Sequence, residues 1–366
     1  MSILLRDIMT AIEDFAPRVY QESYDNSGLI YGRPEMPIHG ALLTLDCTEA
    51  VIDEAIAKDC NLIIAHHPIV FKGLKQFTGK NYVERTLLKA IENKIAIYAC
   101  HTNLDKVKGG VSFEMANRIG LIDTRILKAE SGHLNKLVTY IPKASADALR
   151  EALAAAGAGK IGDYDSCSFS SMGEGRFRAN EQAQPFVGKK GEWHTEPEEK
   201  VEVIVDNARL GMVIAAMKAN HPYEEPAYEI HPVKNEYSEV GLGVIGNLAE
   251  PMDEISFLER LKEVFQLKTL KYTPVLGKKV QKIALCGGSG SFLIETAKSA
   301  GADVYVTADI KYHEFFDADN QLLLADIGHF ESEQYTYAIF ERIIREKFPN
   351  FALQISSINT NPINFL

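Results

Sequence analysis

The chain predicts an α/β fold: a core in two similar outer segments, interrupted by an inserted ferredoxin-like α+β module. Three observations carry this expectation. Apolar runs of strand length alternate with helical-period stretches before residue 130 and after residue 236, the rhythm of parallel strands with helical crossovers. Between them the order is β-α-β, a polar interval, then β-α-β, as in a split β-α-β module. Polar residues also stand at the ends of the apolar runs in both outer segments, where α/β sheets gather their functional loops. The domain reading is 1–130 and 236–366 for the two halves of the core, and 131–235 for the insert.

Taken in order, Met1–Tyr20 reads as an amphipathic helix with apolar positions Leu4, Leu5, Ile8, Met9, Ile12 and Phe15. It has no basic leader, apolar stretch or cleavage site of a signal peptide. Gly40–Asp46 is a buried strand, and Thr48 can cap the helix that carries Val51, Ile52, Ala55 and Ile56. The strand Leu62–Ala65 follows, then a helix over Tyr82–Asn93 and a strand over Ile95–Ala99. Within the insert, Leu137–Ile141, Val201–Val205 and Ala227–Val233 read as strands, and Ala144–Ala156 and Ala208–Asn220 as helices. Residues 157–200 are rich in glycine, serine and charge.

The core rhythm then resumes. Strands are expected at Gly241–Leu248, Lys282–Cys286, Asp303–Thr307, Leu322–Ala325 and Phe351–Ile355. Helices are expected over Ile255–Phe265, up to Ala300, and up to Lys347. Strand, loop, helix, strand and polar site occur in both outer segments, a weak internal repeat.

Composition limits the function. Apolar residues at 46% and charged residues at 24% suit an ordinary globular protein. A net charge of −11 argues against general nucleic-acid binding, which rests on basic patches. No stretch is long and apolar enough to span a bilayer. Five cysteines (Cys47, Cys60, Cys100, Cys167 and Cys286), odd in number and without a C-x-x-C pair, read as free thiols of a reducing compartment, the cytoplasm.

The residues able to do chemistry begin with His66-His67-Pro68, where the strand Leu62–Ala65 stops. Pro68 restrains His67 to an extended conformation, so two imidazoles can flank one pocket and reach different ions. The same pair also suits the start of a polar loop. Asp105 follows the next strand. His329 and Glu333, four apart at a helix start, project from one face a turn apart. Together these five offer three nitrogen donors and two carboxylates, enough for two divalent ions such as zinc, iron or manganese. His101 and His313 lie near them in sequence and are candidates to orient a ligand or move a proton. The Gly287–Gly290 loop suits either a phosphate cradle or a tight turn. His221 to Pro226 with His231 reads as a locally satisfied loop entering a strand, and Gly173–Arg178 as a solvated loop with some capacity for an anion.

Seven stretches in order carry a resemblance: Tyr24 to Leu29, Ala65 to Pro68, His101 to Asp105, Cys286 to Gly290, Thr307 to His313, Gly328 to Glu333, and Asn361-Pro362. In these the chain resembles the GTP cyclohydrolase I type 2 homologues, the Nif-three-like (NGG-interacting factor) dinuclear-metal family. The resemblance covers both outer segments. It departs at Tyr24 and Ala308, where the family often has tryptophan and glycine. It implies that His66, His67, Asp105, His329 and Glu333 are the ligands of a two-metal site, and that homohexamers form a hollow toroid. The insert resembles the CutA and P-II group through Leu137 to Pro142, Gly157 to Tyr164 and His221 to Pro226. The activity implied is hydrolysis of a small nucleotide-like substrate such as GTP, with hydroxide attacking C8 of guanine. A two-metal phosphoesterase or nuclease, and a non-enzymatic metal-binding regulator or scaffold, are the alternatives that the same residues allow.

Overall fold

In a computed structural model the described residues, 3–366, form fifteen strands in three sheets. The first outer segment supplies β1 (Gly28–Tyr31), β2 (Gly40–Thr44), β3 (Leu62–Ala65), β4 (Ala96–Ala99) and β5 (Ile122–Ser131). Next come β6 (Leu134–Pro142), β7 (Ser168–Arg178), β8 (Trp193–Asp206) and β9 (Tyr228–Val233). The chain continues through β10 (Glu236–Asp253), β11 (Lys271–Tyr272), β12 (Lys279–Ser289), β13 (Val304–Ala308), β14 (Leu323–Asp326) and β15 (Ala352–Ile355). By packing, residues up to Ala129 form one unit with Glu239–Leu366, and Glu130–Ser238 form another.

The first sheet has the order β1-β4-β3-β2-β15. Every residue of β2, β3 and β4 is buried, which is why these runs are continuously apolar instead of alternating. They pair in parallel in the register Leu42↔Ile63 and Ile63↔Ile97, so their carboxyl ends share one edge. Helices Glu49–Ala57 and Tyr82–Glu92 cover one face through Val51, Ile52, Leu87 and Ala90. Thr48 caps the first, as expected, and Asn81 caps the second by accepting from Glu84 N at 3.0 Å. The amphipathic N-terminal helix spans Leu5–Phe15, followed by a single 3₁₀ turn at Arg18–Tyr20; Met1 and Ser2 lie outside the described residues.

The second sheet, β11-β14-β13-β12-β10-β5, repeats the plan. Its parallel trio β12, β13 and β14 is flanked by antiparallel β10 and β11. Val304 and Val306 of β13 enter one core with Phe257 and Leu261 of helix Glu254–Val264. Tyr305 enters another, with Ile294 and Ala297 of helix Ile294–Ser299. Both faces are thus covered, and the strands read as apolar runs. β15 does not join this sheet: it pairs in parallel with β2 of the first, in the register Leu353↔Ala41.

Glu130–Ser238 holds a four-stranded antiparallel sheet in the order β7-β8-β6-β9. Helices Ala146–Ala155 and Leu210–Asn220 bury Leu149, Leu153, Val213 and Met217 against Leu137, Ile141, Val201 and Val203 on one face. β7 is absent from the expected elements because Ser168–Arg178 lacks apolar alternation. It is a strand because β8 pairs with it along its whole length, from Ser168↔Val203 to Arg178↔Trp193.

Candidate metal centre

β3 ends at His66-His67, and β4 ends beside Cys100 and His101 on the same sheet edge. The backbone holds this edge: His67 N donates to Leu45 O at 3.0 Å and Cys100 N to Ala65 O at 3.0 Å. A five-residue helix, Thr102–Lys106, then presents Asp105. β14 ends at Asp326, Gly328 turns the chain at φ 91°, and helix His329–Glu333 begins. A side chain on Gly328 would fall onto the Glu331 carboxylate.

These elements converge. His66 Nε2 lies 3.5 Å from Asp105 Oδ1 and 3.9 Å from Glu333 Oε1. Glu333 Oε2 lies 3.0 Å from His67 Nε2 and 3.1 Å from His329 Nε2. The rings of His66 and His67 are 5.0 Å apart, and those of His67 and His329 5.4 Å. Donor atoms fall into three groups able to hold an ion: His67, His329 and Glu333; His66, Asp105 and Glu333; and His66, His67 and His101. His313 is not brought to them. It is exposed, against Tyr312 and Phe316.

The protonation of this cluster follows from its partners. Each imidazole has Nδ1 engaged: His66 with Cys100 O at 2.8 Å, His67 with Asp46 Oδ1 at 2.8 Å, His101 with Asp25 Oδ1 at 2.8 Å, and His329 with Asp309 Oδ2 at 2.7 Å. A carbonyl oxygen only accepts, so His66 Nδ1 carries the hydrogen. Complete burial pushes the His66 pKa down to about 3, so its ring is neutral and Nε2 presents a bare lone pair. That atom, Asp105 Oδ1 and Glu333 Oε2 are buried without a hydrogen-bond partner. His67 Nε2 and His329 Nε2 lie 3.0 and 3.1 Å from Glu333 Oε2, close enough to stabilise its charge. His66 Nε2 and Asp105 Oδ1, buried without partners, each carry a desolvation cost of about 1–3 kcal/mol that a bound cation would relieve. The arrangement fits a divalent metal: imidazole and carboxylate donors, second ring nitrogens anchored, and facing atoms left free.

Two carboxylates share this space. Glu333 is held well below the usual range: burial opposes its charge, but His329 and His67 outweigh it. Asp105, opposed by burial and by Glu333, is pushed up to about 7. His329, drawn by Glu333 and Asp309, is raised to about 9; in His67, Asp46 and Glu333 overcome burial and raise it to about 10. In the metal-free chain, protons therefore stand where cations would sit. Metal affinity should rise with pH, about tenfold per unit for each proton displaced. Competition titrations against a chelator at pH 6, 7 and 8 should show the steepest rise below about pH 7, where Asp105 must also deprotonate.

The anchoring residues Asp25, Asp46 and Asp309 were missed as functional positions, although each follows an apolar run or lies in a quoted stretch. The Asp25 side chain is buried and accepts from His101, Ser27 and Thr102. Asp46 also accepts from Thr360 Oγ1 at 2.6 Å, which ties the C-terminal segment to the His67 anchor. Asp309 occupies a left-handed conformation at the end of β13, φ 56°, the position in the second trio that His66-His67 hold in the first.

The glycine loop resolves as packing. Gly287 N donates to Ser112 Oγ at 3.2 Å and Gly288 N to Ser332 Oγ at 2.9 Å, so neither amide is open to phosphate. Gly288 has φ 59°, and a Cβ there would strike Glu333 Oε1. Gly288→Ala should displace that carboxylate and lower metal affinity about tenfold or more, as for other changes to a ligand's support; metal content after dialysis measures it. His221 and His231 belong to no metal group. His221 Nε2 donates to Tyr140 O at 2.9 Å, and His231 pairs with Glu229. All five cysteines are free, and no described helix is long and apolar enough to cross a membrane.

Known proteins share the sequence and the fold. The chain is 38% identical over 364 residues to the GTP cyclohydrolase 1 type 2 homolog of Halalkalibacterium halodurans, covering 98% of each chain. It is 37% identical over 366 residues to that of Bacillus subtilis, covering 99% of this chain and 98% of the relative. A crystal structure of a Bacillus cereus protein related to NIF3 superposes with a TM-score of 0.87 at 36% identity, covering both chains completely. Residues 3–362 match the Duf34/NIF3 (NGG1p interacting factor 3) family, and the chain belongs to it.

Proposed function

We propose that this chain is a dinuclear-metal hydrolase acting on a nucleotide-like substrate. The observation that carries the reading is the bare, buried Nε2 of His66 beside the unsatisfied oxygens of Asp105 and Glu333. The two oxygens of Glu333 face different partners: Oε2 faces His67 and His329, whereas Oε1 is on the side of His66. His67, His329 and Glu333 would hold one ion, and His66, Asp105 and Glu333 the other, with Glu333 common to both sets. Zinc, iron and manganese all suit these donors. Such a pair supplies hydroxide near neutral pH and polarises the bond under attack.

The protein's own part is placement. His101 is edge-on to His66 and His67, each at 5.3 Å, with Nδ1 fixed by Asp25, so its other nitrogen is the group to handle a proton. Tyr24 and Phe71, 63% and 45% exposed, stand beside it, with Phe71 6.3 Å from the His101 ring; their faces offer stacking surface for a base. The relatives' name supports GTP as the first substrate to try. The Glu130–Ser238 unit is read as the ferredoxin-like, CutA/P-II-like insert, on its strand order and antiparallel pairing. The working form is read as a cytoplasmic homohexamer.

Metal analysis of protein purified without added metal should find two ions per chain, lost in His67→Ala. Formate release from GTP, with phosphate release from nitrophenyl phosphate alongside, tests the chemistry. Absence of bound metal would sink the site, and absence of turnover with zinc, iron or manganese would sink the hydrolase.

A further inference from the structure

A second cavity lies wholly within the Glu130–Ser238 unit, about 590 Å³ in volume, within the usual range for small-molecule sites. It sits on the face of the four-stranded sheet opposite the two helices. Two stretches that the metal centre does not use line it together: Gly173–Phe177 of β7, and Tyr223–Glu225 with Ala227. The loop carrying Pro185 and Phe186 forms a further wall, fixed where Gln184 N donates to Glu224 Oε2 at 2.9 Å.

The hollow has a cause in the sequence. β7 pairs with β8 so that Gly173 is opposite Glu198, and Gly173 and Gly175 point to one face. A Cβ on Gly175 would strike the Glu198 carboxylate, whereas one on Gly173 would meet nothing within 4 Å. The missing side chains leave room for Glu198 to lie across the strand and for a ligand above it. Phe177, Phe186 and Tyr223 form the aromatic wall, with ring centroids 6.1 and 6.4 Å apart.

Glu198 is the group that defines the ligand. It is 8% exposed, and the Tyr223 hydroxyl donates to its Oε1 at 2.7 Å. Burial and this carboxylate push the Tyr223 phenol upward, which keeps it a donor. The cations lining the cavity are engaged elsewhere. Lys200 Nζ pairs with Glu202 at 2.8 Å, and the Arg176 guanidinium stacks over Trp193, 4.7 Å from its ring. A buried carboxylate without a cation, against aromatic faces, selects a positively charged nitrogen group on a flat body.

We propose that this cavity is a binding site for a small organic cation with an amidinium or guanidinium head, which donates to Glu198 while its body lies against Phe177, Phe186 and Tyr223. The site shares no residue with the metal centre.

Ligand-observed saturation-transfer NMR on the full chain, with benzamidine as probe and benzoate as the anion of similar shape, tests it. Benzamidine should bind saturably and benzoate should not. Glu198→Gln should weaken benzamidine about tenfold to a hundredfold, the effect of one charge-assisted hydrogen bond. Gly173→Leu adds bulk beside Glu198 without a backbone clash, so it should abolish binding while thermal unfolding stays unchanged. It is decisive even if the glutamine variant fails to fold. Benzoate binding as tightly as benzamidine, or a benzamidine signal unchanged in the folded leucine variant, would overturn the proposal.

Discussion

For the proposed two-ion centre, Glu333→Gln is expected to empty both positions at once, whereas His329→Ala should chiefly affect one. The reason is the division of its oxygens between two groups of donors, Oε2 near His67 and His329 and Oε1 toward His66. Glutamine keeps the volume, so the helix His329–Glu333 should still pack, with Ser332 bonded to Gly288. The charge is lost, and with it the counterweight to bound cations and to the raised histidines. Metal affinity should fall by more than about 100-fold, beyond the usual effect of losing an outer partner of a ligand. Hydrolysis, if measured with metal in excess, should fall with it. Elemental analysis of both variants after dialysis decides the matter: equal retention in Glu333→Gln and wild type would rule out a part for Glu333 in both positions.

The second large effect is on stability. Phe257 of helix Glu254–Val264 is fully buried among Leu261, Leu285, Val304 and Val306. Phe257→Ala should cost about 3–5 kcal/mol, because the lost transfer energy is joined by a cavity that the two-sided sheet cannot close. Urea unfolding followed by circular dichroism measures this. A loss below about 1 kcal/mol would mean that the core relaxes around the gap. The consequence reaches the site, since the same parallel trio aims β14 and the helix behind it at His67.

Much of the core was legible from its residues. Completely buried parallel strands must be apolar throughout, so GALLT, LIIA and AIYA announce themselves, and their polar successors mark a functional edge. Other elements were not legible for equally physical reasons. β7 has no apolar period because both of its faces stay largely exposed, and only its pairing with β8 makes it a strand. The last helical stretch breaks at Gln334-Tyr335 into His329–Glu333 and Thr336–Lys347, a division the periodicity hides. β15 looks like the end of the second half but completes the first sheet.

The sequence by itself determined the donor types and their positions at strand ends, since imidazole and carboxylate chemistry belongs to the residues and strand ends follow from apolar runs. Only the tertiary structure decided which oxygen of Glu333 faces which histidine, that Asp25, Asp46 and Asp309 fix three of the four rings, and that His66 keeps a bare nitrogen. Those properties depend on distances between segments far apart in the chain and on burial. A proton's place is set by the partners that packing brings to it, and no local spacing records them.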